Sequence, residues 1–218
     1  TSSAASNVYK RQKWDSRPFS LVKLKRSLGR WQDALAETGW NSLYWNNHDQ
    51  PRVVSRFGDD GEHRVRSAKA LGTVLHLHRG TPFVYQGEEL GMANATWGSV
   101  DDFRDLESVN HYADALAGGQ DPSEALDVLR AMSRDNARTP MQWDASPNAG
   151  FCLPDAEPWL PLTADYTARN VAVMSQDATS ILTLYHQLLA MRQETPALLG
   201  GSYKPLDEGV PTDCYVYL

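Results

Sequence analysis

Apolar residues recur at helical spacing in three segments of the chain. Within residues 20–38 the apolar positions are Leu21, Leu24, Leu28, Trp31 and Leu35. Intervals of three and four residues place such side chains on one helical face. Residues 62–78 and 179–194 show the same pattern. Ser20 before the first helix predicts an N-cap, and Gly39 after it predicts a C-cap.

Short apolar runs at residues 42–46 and 82–86 lie between and after these helices, and each is bounded by polar or turn residues. Runs of this length predict strands. Short strands that alternate with amphipathic helices predict an α/β fold with a parallel sheet. Further helical pieces are predicted at 105–117 and 122–133, and a loop-rich segment at 134–166.

The first predicted strand runs into a dense polar segment, Asn47-His48-Asp49. The carboxyl ends of parallel strands are where α/β enzymes place reactive groups. We expect His48 to donate a hydrogen bond, Asp49 to accept one, and Arg52 to hold a carboxylate pKa down. Flanking Tyr44 and Trp45 would add an aromatic surface for a polyhydroxylated ligand. The alternative is an Asx turn without catalytic meaning.

Two other polar clusters are candidates. Arg134 and Arg138 lie four residues apart, on one face if the segment is helical, and as a structural alternative Arg134 would offset a helix macrodipole. Glu88 and Glu89 follow the second strand, where we expect a structural role. His76 and His78 are expected to be packing and surface residues.

The composition of the chain argues against several classes of function. The chain has 218 residues, 41% of them apolar, and a formal charge of −6. An acidic chain of this kind is not expected to bind nucleic acid or an anionic membrane. Two distant cysteines, Cys152 and Cys214, predict a reducing compartment and hence a cytoplasmic location. No spacing typical of a metal site or of a phosphate-binding loop occurs, so neither a metal nor a cofactor is expected.

Three segments together resemble the α-amylase superfamily of retaining glycoside hydrolases, closest to its oligo-1,6-glucosidase and α-glucosidase branch. They are WNSLYWNNHDQPR (40–52), GTPFVYQGEELGM (80–92) and RDNARTPMQW (134–143). The resemblance implies strands 7 and 8 of a (β/α)8 barrel, with their helices. It divides the chain into residues 1–199 of the barrel, with an insertion at about 93–178, and 200–218, the start of a small all-β domain.

The resemblance also implies roles for the matched positions. Asp49 would be the catalytic carboxylate that stabilises the oxocarbenium-like transition state. His48 and Arg138 would bind hydroxyls of the same sugar, Arg138 those of the non-reducing end. The implied activity is exo-acting hydrolysis of α-1,6 or α-1,4 glucosidic bonds in short oligosaccharides.

The chain departs from the family at the other two catalytic carboxylates. The Gly-Phe-Arg-x-Asp pattern of the nucleophile does not occur in it, and no glutamate matches the acid/base. We therefore expect a fragment that is inactive alone, whose partner is the N-terminal part of the same protein. Alternatives are a non-catalytic scaffold of the superfamily, or a sucrose isomerase, trehalose synthase or transglucosidase.

Overall fold

A computed structural model describes residues 13–14 and 19–218 of the chain. The first residues of the predicted unit 1–199 therefore lie outside the described part. The architecture is α/β: two parallel strands, β1 (Ser42–Tyr44) and β2 (Thr81–Phe83), are surrounded by helices. The helices are α1 (Leu21–Ala34), α2 (Val53–Phe57), α3 (Arg64–His76), α4 (Leu106–Ala117), α5 (Pro122–Met132), α6 (Asp135–Arg138), α7 (Val171–Met174), α8 (Ile181–Glu194) and α9 (Pro196–Gly200).

Both strands are shorter than predicted. Their ladder pairs Ser42 with Thr81 and Tyr44 with Phe83, and it ends there. The predicted strand residues 45–46 lie beyond the ladder, and both side chains are buried. Residues 84–86 lead into the 3-10 turn Glu88–Leu90 instead of extending β2. At the start of β2, Gly80 has φ +142°, and a Cβ there would lie 2.6 Å from the Asn41 carbonyl oxygen.

The long helices lie where the hydrophobic pattern predicts them. The Ser20 side chain caps α1, as expected, and Ser180 caps α8 through the Thr183 N–H. The predicted C-cap Gly39 is wrong, because α1 ends at Ala34 and Leu35 is the capping residue. The short helices α2 and α9 have too few residues to show a helical period, and the sequence did not predict them.

Two apolar clusters flank the strands. One contains Leu43 and Trp45 with side chains of α1, α2 and α3, and the other contains Leu90 with Ile181 and Tyr185 of α8. Trp45 is only 2% exposed, and its indole N–H donates to the Leu71 carbonyl oxygen. The expectation that Trp45 offers an aromatic surface to a ligand is therefore wrong.

Helices α4 and α5 form a hairpin within the predicted insertion, and both match their predicted ranges. Asp105 caps α4 and Asp121 caps α5. The connecting turn, residues 118–121, is exposed. Gly119 within it has φ +84° and no atom within 4 Å of the position of a Cβ.

Both histidines at the end of α3 are buried, so the predicted surface position is wrong. His78 Nδ1 lies 2.6 Å from the Val74 carbonyl oxygen, and Nε2 lies 2.8 Å from the Tyr215 hydroxyl. Tyr215 belongs to the C-terminal segment, in which the backbones of Lys204 and Leu218 exchange two hydrogen bonds. The small β domain beginning at residue 200 stays a prediction.

His78 should make the stability of the protein depend on pH. Burial lowers its pKa to about 4 from an ordinary 6.5. Between these values the unfolded chain binds the proton and the folded chain does not, so the free energy of unfolding rises with pH. The total contribution is about 3 kcal/mol. We expect His78→Gln to flatten this rise between pH 4 and 6.5 in denaturant titrations, and unchanged slopes would contradict the assignment.

Among the described residues, no helix is long and apolar enough to cross a membrane. In the same part of the chain, no three His, Cys, Asp or Glu side chains are grouped to hold a metal ion.

Candidate active site

Asp49 lies in the loop between β1 and α2, at the carboxyl end of the strand. Its backbone N–H donates to Asn47 Oδ1 at 2.9 Å, so the Asx turn predicted as an alternative does form. The turn uses the backbone N–H of Asp49 and not its carboxylate, which is 48% exposed. The local turn therefore presents the carboxylate to solvent.

Three cationic or polar side chains surround that carboxylate. Arg138 Nη2 lies 3.1 Å and Arg134 Nη1 3.2 Å from Asp49 Oδ1. His48 Nε2 lies 3.3 Å from Asp49 Oδ2. Arg138 also donates from Nε to the His48 carbonyl oxygen at 2.9 Å. The structure thus brings the three residues predicted from the sequence, Asp49, His48 and Arg138, into one cluster.

Arg134 links this cluster to the start of helix α4. The sequence did not predict this link. The Arg134 guanidinium donates to both oxygens of Asp105, at 3.1 and 2.8 Å, and pairs with Glu107 at 2.8 Å. The hydrogen bond with Asp105 raises the pKa of Arg134. Arg134 lies two residues after the last residue of α5 and directly before α6, and its guanidinium pairs with Asp105 and Glu107; the macrodipole role suggested for it stays a prediction.

Asp105 is the buried anion of the cluster, with 5% of its side chain exposed. Burial alone would raise its pKa, but hydrogen bonds from Arg134 and Ser108 outweigh burial and the pKa lies below the ordinary value. Asp105 therefore stays ionised and holds the Arg134 guanidinium beside Asp49. The sequence predicted this residue only as the start of a helix at 105–117.

Buried polar contacts fix the segment 134–139 that carries both arginines. Asn136 is fully buried, and its Oδ1 accepts from the Trp97 indole N–H at 2.7 Å. The Tyr85 hydroxyl donates to the Ala137 carbonyl oxygen at 3.0 Å. Arg52 donates from Nε to the Asn136 carbonyl oxygen at 3.1 Å. Because backbone and side chains are both held, Arg138 has a defined position over Asp49.

The Arg52 guanidinium lowers a carboxyl pKa, as expected, but the carboxyls are those of Glu88 and Glu89 and no described contact joins it to Asp49. The Arg52 side chain is 1% exposed and donates to the Gln86 carbonyl oxygen at 2.6 Å. Burial lowers its pKa to about 10, while Tyr85, Glu89 and Glu88 oppose that shift. Arg52 remains charged at neutral pH and ties the end of β2 to the segment that carries Arg138.

Glu88 lies beneath the site and is buried. Its Oε2 accepts from Asn46 Nδ2 at 2.6 Å and its Oε1 from the Tyr185 hydroxyl at 2.9 Å. Burial raises its pKa to about 7 despite those two hydrogen bonds. The expected structural role of Glu88 agrees with this burial. Glu89 is partly buried, and burial raises its pKa too.

The cluster combines an accessible carboxylate with an imidazole and two guanidinium groups. Such a set can hydrogen-bond several hydroxyls and place negative charge beside a developing cation. In the described part of the site, the other carboxylates beside the cluster, those of Asp105 and Glu107, are both paired with Arg134.

The family model described as the α-amylase catalytic domain matches residues 2–201. The chain belongs to the α-amylase family. This membership confirms the family resemblance of the three segments, and the α/β fold is consistent with it.

Curated α-amylase family members match almost the whole chain. An oligo-1,6-glucosidase of Parageobacillus thermoglucosidasius is 47% identical over 206 residues, which are 94% of this chain and 36% of that protein. A trehalose-6-phosphate hydrolase of Bacillus licheniformis superposes with a TM-score of 0.91 at 40% identity, over 98% of this chain and 38% of that one. A trehalulose synthase superposes with a TM-score of 0.87 at 42% identity, over 94% and 37% of the two chains. The chain thus spans just over a third of the length of these relatives.

Proposed function

We propose that the chain is the C-terminal part of the catalytic barrel of a retaining, exo-acting α-glucosidase that cleaves α-1,6 or α-1,4 bonds of short oligosaccharides. In this proposal β1 and β2 are barrel strands 7 and 8. The observation that carries it is the half-exposed Asp49 carboxylate between His48 and Arg138. Identity to an oligo-1,6-glucosidase supports the substrate class.

Each residue of the trio Asp49, His48 and Arg138 has a distinct role in the proposal. Asp49 offsets the positive charge that develops on the sugar ring in the oxocarbenium-like transition state. His48 holds hydroxyls of this sugar, and contacts that tighten as the ring flattens raise turnover rather than affinity. Arg138 binds the hydroxyls of the non-reducing end in the ground state as well as in the transition state, so it contributes to affinity. A scaffold protein needs no such constellation, so the trio weighs against the scaffold alternative.

The nucleophile and the acid/base belong to another part of the protein in this proposal. A retaining glycosidase needs two carboxyls about 5–5.5 Å apart, and Asp49 supplies neither. The partner of these 218 residues is then an N-terminal segment of the same protein. We expect this chain alone to leave a chromogenic α-glucoside intact.

A second candidate within the same chemistry is sucrose isomerisation, favoured by the likeness to a trehalulose synthase. It uses the same carboxylates and differs in what attacks the glucosyl intermediate. Assays of the longer protein that contains this chain should separate the two. Glucose released from isomaltose or maltose supports the glucosidase, an isomer formed from sucrose supports the second candidate, and no turnover of any of the three contradicts both.

Arg138→Ala should raise KM for an oligosaccharide about 10- to 100-fold. The reason is the loss of charged hydrogen bonds worth about 1.5–3 kcal/mol each. Steady-state kinetics of the longer protein measure the effect. Arg169→Ala is a matched control, because Arg169 is as buried as Arg138 (24% and 23% exposed) and pairs with Asp165 instead. Equal KM values for both variants would refute the role of Arg138.

A further inference from the structure

The side chain of Asn46 joins the two ends of the loop that carries the candidate site. Its Oδ1 accepts from the Val53 N–H at 2.7 Å, and Val53 is the first residue of α2. The hydrogen bond joins the two ends of segment 46–53, and His48 and Asp49 lie between those ends. The position of Asp49 therefore depends on how the Asn46 amide is oriented.

Glu88 determines that orientation. An ionised carboxylate only accepts hydrogen bonds, so the Asn46 NH₂ must face Glu88 and the Asn46 oxygen must face the Val53 N–H. The second oxygen of Glu88 is occupied by the Tyr185 hydroxyl from α8. With both oxygens held from two different elements, the carboxylate has no room to rotate away.

We propose that Glu88 is a positioning residue for Asp49 that acts through Asn46 and the loop 46–53. The proposed glucosidase function gives Glu88 no part in turnover. The inference rests on that function of Asp49. The Glu88 carboxylate does not contact the Asp49 cluster and acts only through the loop.

Protonation of Glu88 leaves this arrangement in place. Burial raises the pKa of Glu88 to about 7, but a neutral carboxyl can donate from Oε1 to the Tyr185 hydroxyl oxygen while Oε2 still accepts from Asn46 Nδ2. The orientation of the Asn46 amide therefore requires an acceptor oxygen at position 88 and not a negative charge.

Other charged and titratable groups also face Glu88. Glu89, on the same turn, adds to the rise in pKa, while the Arg52 guanidinium opposes it. Tyr185 donates its hydroxyl from α8, and burial and the charge of Glu88 raise its own pKa, so it stays protonated. His76 of α3 packs edge-on against the Tyr185 ring with centroids 5.0 Å apart.

Two variants of Glu88 in the longer protein test the proposal. Glu88→Gln can still offer an oxygen to Asn46 and an NH₂ to the Tyr185 oxygen, but it cannot titrate. We expect its kcat to stay near wild type on both sides of pH 7. Glu88→Leu removes the acceptor, and we expect kcat to fall on the order of 10²-fold from misplacement of Asp49, with KM much less affected.

Glu89→Leu is the control, since Glu89 does not contact Asn46, and its kcat should stay near wild type. A Glu88→Gln protein whose kcat falls as far as that of Glu88→Leu, or a folded Glu88→Leu with wild-type kcat, overturns the proposal. Hydrogen exchange of the Val53 amide tests the same link without activity. It should be slow in the wild type and in Glu88→Gln and fast in Glu88→Leu; equal rates in all three overturn the proposal. A wild type that is inactive but shows this exchange pattern would refute the glucosidase function alone.

Discussion

Asp49→Asn should lower glucosidase turnover of the longer protein by several orders of magnitude while the fold remains intact. The substitution keeps the size of the side chain and an oxygen for Arg134 and Arg138, and it removes only the negative charge. Loss of a single neutral donor to a transition-state charge costs about 10²–10³-fold, and a full charge beside a developing cation should cost at least as much. Steady-state kinetics with a chromogenic α-glucoside measure the loss.

Stability measurements accompany this experiment. The Asp49 ion pairs are half-exposed, and such pairs contribute about 0–1 kcal/mol each, so denaturant midpoints should change little. Asp127→Asn is the matched control, because Asp127 also forms an exposed ion pair, with Arg130 at 2.9 Å. Near-normal turnover of Asp49→Asn would refute the role assigned to Asp49.

Arg52→Met should destabilise the protein by about 3 kcal/mol or more. The guanidinium satisfies the carbonyl oxygens of Gln86 and Asn136 and reaches the Thr139 hydroxyl at 3.4 Å. Methionine fills much of the same space and leaves these buried acceptors unpaired, at about 1–3 kcal/mol each. Denaturant titration at neutral pH, where Arg52 is charged, gives the free energy of unfolding.

Arg52→Lys separates charge from geometry. Lysine keeps the charge but has no planar fork, so it should recover part of the stability by reaching one acceptor. An Arg52→Met protein as stable as the wild type would show that water satisfies these acceptors.

The parts of the site that are local in sequence were predictable. A strand that ends in Asn47-His48-Asp49 predicts a carboxylate at the edge of a sheet, and the structure places it there. The pairing of Asp49 with Arg138, 89 residues away, was predictable only through the family resemblance. Composition and periodicity say nothing about contacts at that distance.

The remaining parts depend on burial, which the sequence does not reveal at single positions. Arg52 and Trp45 were expected to serve a site and His78 to be a packing or surface residue, and all three are buried in the structure. Asp105 was predicted only as the start of a helix, yet it orients Arg134 beside Asp49. Tertiary contacts decide the role of such residues, since each is compatible with either environment.

The hairpin of α4 and α5 offers an attachment point that should leave the chemistry undisturbed. Its base is fixed to the site through Asp105 and Arg134, whereas the turn at residues 118–121 is exposed and Gly119 has open space around it. A fluorophore or a short peptide inserted at that turn would follow the movements of the insertion. The same addition near Asn136 would displace the segment that carries Arg138.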